Sequence, residues 1–209
     1  MSAHLDLFVA TLAALFPIAN PFGNAAIFQS LTKDNTPDER RSFARRGAIY
    51  MVAILVVFFV AGTAIVNFFG ISLPGIRIAG GLIISRYAFA QLNPKPEHTH
   101  PSNEHAEATA KTDIAFSPLA MPLLAGPGAI AAAMSLSTRV STQGVTPHGV
   151  VIAGITLVGT ACWLILRESD AIMKRLGVIG ANALTKIMGF LLLCIGVQLV
   201  IDGVLGLKL

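Results

Sequence analysis

The sequence is poor in charged residues. Asp, Glu, Lys and Arg make up 12% of its 209 residues, whereas 54% are hydrophobic, and the mean hydropathy is +0.71. A soluble domain of this size needs a charged surface, so this composition excludes one. We predict an integral membrane protein whose main partner is the lipid bilayer. The net charge of +4 follows from where cations sit in the loops and predicts no nucleic-acid partner.

Cysteine and catalytic motifs are also scarce. The only cysteines, Cys162 and Cys194, lie in apolar stretches without the spacing of a metal site. The chain holds no nucleophile–base constellation, zinc motif or phosphate loop, so we predict no enzymatic activity and no cofactor. His98, His100 and His105 lie near glutamates and could bind a divalent metal. A flexible segment offers no fixed ligand geometry, so we predict no metal site.

The central parts of the apolar stretches contain no Asp, Glu, Lys, Arg or His. This absence argues against a proton relay built on a buried carboxylate. Coupling to Na⁺ or H⁺ is left open, with backbone carbonyls as the candidate Na⁺ ligands.

What the chain has is six long apolar stretches. They cover residues 5–31, 48–69, 76–92, 114–136, 149–166 and 183–205. A helix needs about 20 residues to cross ~30 Å of hydrocarbon, so we predict an all-α membrane protein with six transmembrane helices. Residues 1–92 would form one three-helix unit and residues 114–209 a second, joined by a polar linker at 93–113. Between the first two stretches, Thr36, Pro37 and the acids that follow predict a short amphipathic helix.

The distribution of Lys and Arg predicts the orientation. Twelve of the 15 lie on the side of the loops after the first, third and fifth stretches, and three lie on the other side. Because cytoplasmic loops carry the excess of Lys and Arg, we predict both termini outside and the 93–113 linker in the cytoplasm.

Two apolar stretches are interrupted by proline, glycine and asparagine, at 16–24 (FPIANPFGN) and at 121–128 (MPLLAGPG). Proline removes a backbone donor and clashes with the preceding turn, so the first and fourth helices should be broken there. In lipid, the freed backbone groups must face protein or a wet cavity. The candidate substrate-binding residues are Asn20, Pro21, Gly23, Asn24, Gly126, Pro127 and Gly128.

These breaks suit a small zwitterion. A helix that restarts near Asn24 exposes N–H groups and the positive end of its dipole, which bind a carboxylate. The half that stops near Asn20 exposes carbonyls that accept from an ammonium group or a cation. The alternative is that both breaks are ordinary proline kinks that serve helix packing.

The two halves also resemble each other. Pro21 and Pro127 are 106 residues apart, and Arg77 and Lys186, which begin similar runs, are 109 residues apart. With three helices in each half, the copies enter the membrane from opposite sides, which predicts an inverted repeat. We expect Gly80, Gly81 and Gly189 to let helices pack closely near the site.

The runs NPFGN at 20–24, RIAGG at 77–81 and PLAMPLLAGPGAI at 118–130 resemble the MarC family. These are six-span proteins of the bacterial inner membrane, also grouped as neutral amino acid transporters. The resemblance covers nearly the whole chain and implies six helices in two inverted halves and small neutral amino acids as substrates. In an inner-membrane protein, the charge asymmetry described above predicts periplasmic termini. Arg86 and the His-rich linker depart from the family pattern and are local features of this sequence.

The sequence is therefore compatible with two functions. The first is a secondary transporter or exporter of small neutral amino acids or similar zwitterions, and the second is a non-transporting membrane scaffold or partner subunit. A cavity that reaches the paired breaks favours transport, whereas breaks filled by side chains favour the scaffold. The sequence leaves a homo-oligomer open.

Overall fold

The computed structural model describes residues 3–93, 113–140 and 144–207. Regular structure in these ranges is helical throughout. The helices are α1 (Ala3–Ala19), α2 (Pro21–Leu31), α3 (Pro37–Phe68), α4 (Leu73–Leu92), the π-type α5 (Ala115–Leu124), α6 (Pro127–Val140), α7 (Val145–Arg167) and α8 (Ser169–Leu205). Most of the 93–113 linker, including its three histidines, lies outside the described residues.

Local sequence explains where two of the helices begin. At α3, the Thr36 side chain accepts from the Glu39 amide, and the Glu39 carboxylate accepts from the Thr36 amide, with Pro37 in the first turn. This reciprocal capping box satisfies two backbone donors at once. At α4, the Ser72 hydroxyl accepts from the Gly75 amide. Both helix starts are therefore encoded in a few adjacent residues.

Several helices are long and apolar enough to cross a membrane. Among the described residues four qualify, Ala3–Leu31, Pro37–Phe68, Val145–Arg167 and Asn182–Leu205, and the bent pair of α5 and α6 is a fifth candidate. Large apolar side chains point outward, including Val60, Phe68 and Phe190. An all-helical chain with such an exterior is built to contact the lipid bilayer.

The structure corrects some helix boundaries. The predicted amphipathic helix and the second span form one continuous helix, α3, and Gly47 at their junction is helical and buried. The polar connection expected before the sixth span is also helical, and α8 is interrupted only at Gly177, where φ is +63°. A positive φ is a conformation that glycine adopts without steric cost, which accounts for the kink at this position.

α4 and α8 pack against each other in opposite directions through small residues. A Cβ on Gly81 would lie 2.5 Å from the Gly196 carbonyl oxygen, and one on Gly203 would lie 2.9 Å from that of Pro74. Farther along, a Cβ on Gly189 would lie 3.5 Å from the Ala88 carbonyl oxygen. The contact residues recur every seven positions on both helices, so the two backbones stay close along their length.

The buried core lies mainly among the broken helices, α3 and α7. Its fully buried large side chains include Leu15, Phe28, Met51, Phe59, Leu124 and Ile155. α3 packs against α5, α6 and α7, and α1 and α2 pack against α7. Both breaks therefore face protein, which supplies partners for backbone groups that lipid cannot satisfy.

Candidate functional site

The first break is a single residue, Asn20, which separates α1 from α2. Its backbone is left-handed (φ 37°, ψ 59°), a conformation that Asn tolerates better than most residues. The Asn20 side-chain oxygen accepts from the Gly23 amide at 3.3 Å and so caps α2. A Cβ on Gly23 would collide with the Asn20 side-chain nitrogen, so the cap requires glycine at this position.

This geometry corrects the predicted position of the restart. α2 begins at Pro21, and Asn24 lies in its first turn rather than at its start. Pro17 lies inside α1, and residues 3–31 still form one candidate span. The first break is therefore short, because proline at the first helical position has the φ and lacks the N–H that such a position requires.

The second break is wider. α5 and α6 meet at Ala125 and Gly126 with a bend of 65°. Within α5, Ser117 and Met121 have extended backbone, and each is followed by a proline in a cis peptide bond. A residue before proline is disfavoured in the helical region, which explains the irregularity of this segment. The disruption at Ser117 lies outside the predicted break at 121–128, although Pro118 is its signal in the sequence.

A hydrogen bond joins the two breaks. The Asn24 side-chain nitrogen donates to the Ala19 carbonyl oxygen at 2.8 Å and to the Leu123 carbonyl oxygen at 3.0 Å. Ala19 is the last residue of α1, and Leu123 lies near the end of α5. Asn24 is buried, with only 1% of its surface exposed. Its amide donates to carbonyl groups at two helix ends, where carbonyls lack partners within the helix.

Gln91 connects the first break to α4. The Asn20 side-chain nitrogen donates to Gln91 Oε1 at 3.0 Å, across 71 residues of sequence. Gln91 is not among the residues predicted from the sequence, because it stands near the polar end of the third stretch, where a solvated glutamine is expected. The feature of the sequence that could have identified Gln91 is its polar side chain, one helical turn after Tyr87 on a helix otherwise rich in apolar residues.

Two atoms of this region lack hydrogen-bond partners within the described part of the chain. They are Asn24 Oδ1, an acceptor, and Gln91 Nε2, a donor, and both atoms are buried. Roughly 90% or more of buried polar groups in proteins are paired, so two unpaired atoms around Asn20 distinguish this region from the rest of the core. Arg46 Nε is a third such atom, and it belongs to a different part of the fold.

A cavity of about 420 Å³ opens at the second break. α4 contributes Ile83, Ile84, Arg86, Tyr87 and Ala90 to its lining, and the second break contributes Pro122, Leu123, Gly126, Pro127 and Gly128, with Ile18, Ala129 and Leu192 completing it. A Cβ on Gly128 would lie 2.7 Å from Ile84 Cγ1, so glycine here keeps space open. The amides of Gly128 and Ala129 belong to the first turn of α6, which has no intrahelical acceptors for them.

The predicted residues thus fall into two neighbouring groups. Gly126, Pro127 and Gly128 line the cavity, whereas Asn20 and Asn24 form the polar cluster with Gln91. Leu123 belongs to both groups, since it lines the cavity and accepts from Asn24. The packing glycines divide as well: Gly81 and Gly189 lie between α4 and α8, while Gly80 faces the Ala131 side chain of α6.

Arg86 lines the cavity, whereas the charged side chains that form ion pairs lie elsewhere. Arg40 donates two hydrogen bonds to Asp170, at 2.6 and 2.9 Å, and Gln29 donates a third at 2.8 Å. The hydrogen bonds from Arg40 hold the pKa of Asp170 below its usual range. Arg46 pairs with Asp113 at 2.6 Å, and the Ala115 amide donates to the same carboxylate, which lowers its pKa. Among the described residues, no group of His, Cys, Asp and Glu is arranged to hold a metal ion.

Apolar helices, helix breaks satisfied by protein and a lipid-facing exterior define an integral membrane protein. Residues 5–208 match the MarC family of integral membrane proteins, and the chain belongs to that family.

Curated relatives agree with this assignment. Proteins named inner membrane protein MarC are 41% identical in Salmonella typhimurium, 40% in Citrobacter koseri and 38% in Escherichia coli O1:K1. In each case the match covers 96% of this chain and 96% of the relative. No solved structure matches the chain.

Proposed function

We propose that this protein is a secondary transporter or exporter of small neutral amino acids or similar zwitterions across the bacterial inner membrane. It would move its substrate without converting it chemically. The observation that carries this proposal is the junction of the two helix breaks, where Asn24 of α2 donates to Leu123 of α5 beside a cavity. Transporters of this kind bind substrate between broken helices near the middle of the membrane.

The cavity has the size and the backbone groups that such a substrate needs. Its volume of about 420 Å³ lies within the range of small-molecule sites, roughly 300–1,000 Å³. The α6 amides at its edge can donate to a carboxylate, and the dipole of α6 favours negative charge there. Apart from Arg86 and Tyr87 the lining is apolar, which suits a small uncharged side chain.

Helix pairing supports an inverted repeat. α4 packs along α8, and α3 packs against α7. In such a repeat, α1 to α4 correspond in order to α5 to α8. The contacts of α3 with α5 and α6 correspond to those of α7 with α1 and α2. The contact of α4 with α6 corresponds to that of α8 with α2. These pairs are unchanged when the first three spans are exchanged for the last three, as such a repeat requires. Three small contacts are exceptions, α1 with α8, α6 with α7 and α7 with α8, since their counterparts α5 with α4, α2 with α3 and α3 with α4 have no contact of similar extent.

Two ion pairs support the proposed topology. Arg40 and Arg46 follow the first span, Asp170 follows the fifth, and Asp113 ends the long linker. Because these residues pair, the connections after the first, third and fifth spans lie at the same end of the helices. This is expected if all three connections are cytoplasmic. In the proposed orientation both termini are then periplasmic.

The rival function, a scaffold or partner subunit, has one observation in its favour. The first break is closed by contacts within the protein, since Asn20 bonds to Gln91 and Asn24 to two carbonyls. A transporter with this arrangement must open at least one of those contacts to bind substrate.

An uptake screen separates the two functions. The purified protein is reconstituted in liposomes, and uptake of radiolabelled alanine, glycine, serine and threonine is measured with and without a sodium gradient and with and without a pH gradient. The proposal predicts uptake of at least one of these above that of protein-free liposomes. Uptake equal to that of protein-free liposomes for all four would favour the scaffold.

A further inference from the structure

We infer that Gln91 and Asn24 together bind the main-chain groups of a zwitterionic amino acid. Gln91 Nε2 would donate to its carboxylate, and Asn24 Oδ1 would accept from its ammonium group. This inference rests on the proposed transport function and assigns the substrate contacts within that site.

The two atoms are buried in one connected polar cluster. Asn20 Nδ2 donates to Gln91 Oε1 at 3.0 Å, and the Asn20 carbonyl oxygen accepts from the Asn24 amide at 3.0 Å. Asn20 and Asn24 are 3% and 1% exposed. Within the described ranges, one donor and one acceptor of this cluster are left without a partner. Leaving a buried polar group unpaired is costly, so such atoms are suited to pair with a ligand.

The hydrogen bonds of each amide fix which of its atoms is free. If the Gln91 amide were turned over, its nitrogen would face the nitrogen of Asn20, and two donors would meet. If the Asn24 amide were turned over, its oxygen would face the carbonyl oxygens of Ala19 and Leu123, and acceptors would meet. The network therefore assigns a free donor to Gln91 and a free acceptor to Asn24.

This pair of atoms matches a zwitterion and fits an ion of one sign poorly. A carboxylate only accepts hydrogen bonds and an ammonium group only donates them, so each substrate group has one possible partner. A simple anion would leave Asn24 Oδ1 unpaired, and a simple cation would leave Gln91 Nε2 unpaired. Both side chains are uncharged, which suits a substrate without net charge inside a membrane.

Asn24 and Gln91 do not line the cavity themselves, but each has a neighbour that does. Leu123, whose carbonyl oxygen accepts from Asn24, lines the cavity. On α4, Tyr87 and Ala90 line it, and Gln91 follows one helical turn after Tyr87. An amino acid could therefore keep its side chain in the apolar cavity while its main-chain groups reach the cluster.

The test uses three ligands of similar size and the full-length protein in nanodiscs. Alanine carries both charges, ethylamine lacks the carboxylate, and propanoate lacks the ammonium group. Binding of each is measured by calorimetry to the wild type, Gln91→Met, Asn24→Ala and Gln198→Met. Gln198 is the matched control, because it is an exposed glutamine whose amide donates to Asp202 on the same helix at 2.7 Å.

In the wild type and in Gln198→Met, alanine should bind more tightly than either partial ligand. Gln91→Met should weaken the binding of alanine about ten- to hundredfold, because the hydrogen bond from Gln91 to the alanine carboxylate is lost. The binding of ethylamine, which has no carboxylate, should be nearly unchanged. Asn24→Ala should weaken alanine by a similar factor and leave propanoate nearly unchanged. A side chain with a purely structural role would weaken all three ligands equally.

Each contrary outcome identifies what is wrong. If alanine binds the wild type and Gln91→Met weakens alanine and ethylamine by the same factor, the inference is overturned while transport stands. If both cluster variants bind alanine as the wild type does, the inference is overturned in the same way. If the wild type binds alanine no better than the partial ligands and no reconstituted uptake occurs, the proposed function fails, and the inference fails with it.

Discussion

The side-chain nitrogen of Asn24 lies 3.0 Å from the carbonyl oxygen of Leu123, and these residues are 99 positions apart in the chain. One amide thereby ties the start of α2 to the end of α5. A movement that separates the two broken helices must break this bond or move both ends together. The bond therefore joins the two halves of the protein directly at their irregular backbone.

The two asparagines should matter for binding more than for insertion. Asn20→Ala and Asn24→Ala remove side-chain polar contacts from the cluster and should lower substrate affinity about ten- to hundredfold. Both variants should still reach the membrane as monodisperse protein, measured by membrane fractionation and size-exclusion chromatography. Normal substrate binding together with a lowered melting temperature would instead mark the breaks as packing features.

Gly128 should be sensitive to added volume. Its Cβ position lies 2.7 Å from Ile84 Cγ1, so Gly128→Leu must push a side chain into the cavity. We expect this variant to lose reconstituted transport while remaining inserted. Gly149→Leu is the control, since a Cβ at Gly149 meets no atom within 4 Å. Equal transport by the two variants would show that the cavity does not carry substrate.

Glycine-to-alanine changes should have opposite effects at Gly196, in the α4–α8 contact, and at Gly149, on α7 outside that contact. A Cβ at Gly196 would lie 2.8 Å from the Gly81 carbonyl oxygen and would collide with the Ser85 hydroxyl. Gly196→Ala should therefore destabilise the protein by about 1–3 kcal/mol. Gly149→Ala meets no neighbour and should be stabilising by up to about 1 kcal/mol, because alanine favours helix. Unfolding in detergent measures both, and a stabilised Gly196→Ala would contradict the packing described.

The ion pair of Arg40 and Asp170 predicts a pH-dependent effect. The pKa of Asp170 is lowered in the folded protein, chiefly by the hydrogen bonds from Arg40. A carboxyl group whose pKa is lower in the folded than in the unfolded protein contributes to stability. The contribution is fully present above the unfolded pKa of about 3.9 and is lost as the pH falls through the folded pKa. Asp170→Asn should thus be less stable than the wild type at pH 7, by at most about 1 kcal/mol for so exposed a pair.

The same comparison at low pH provides the check. The difference in melting temperature between Asp170→Asn and the wild type should shrink once the pH is below about 4. A difference that stays constant from pH 7 down to pH 3 would show that the Asp170 charge does not contribute.

The topology can be tested by labelling. Ser102→Cys, in a chain that also carries Cys162→Ala and Cys194→Ala, places one thiol in the long linker. A membrane-impermeant thiol reagent should leave it unlabelled in intact cells and label it after lysis. Labelling in intact cells would place the linker on the periplasmic side and reverse the predicted orientation.

The sequence predicts the class of protein, the family and the positions of both breaks, because these depend on local composition. Proline and glycine disrupt a helix wherever they occur, and the Thr36–Glu39 capping box lies within four residues. The size of each break was less predictable. A left-handed Asn20 confines the first break to one residue, whereas two further prolines disturb most of α5.

The contacts of the site could not be predicted from the sequence. Gln91 meets Asn20 across 71 residues, and no local pattern links the two. The Gly80 and Gly189 correspondence shows the same limit. Similar runs surround both glycines, yet Gly80 faces Ala131 and Gly189 faces Ala88, Gln91 and Leu92. Partners across a bundle depend on how helices tilt and rotate, which periodicity within one helix does not determine.

Alanine exchange across a liposome membrane tests the central claim most directly. Liposomes that hold the protein and unlabelled alanine are diluted into radiolabelled alanine, and accumulation of label is followed for the wild type, Asn24→Ala and Gln198→Met. The account predicts rapid exchange by the wild type and Gln198→Met and strongly reduced exchange by Asn24→Ala. Equal exchange by all three proteins, or none by the wild type, would contradict the claim that the joined helix breaks form a transport site.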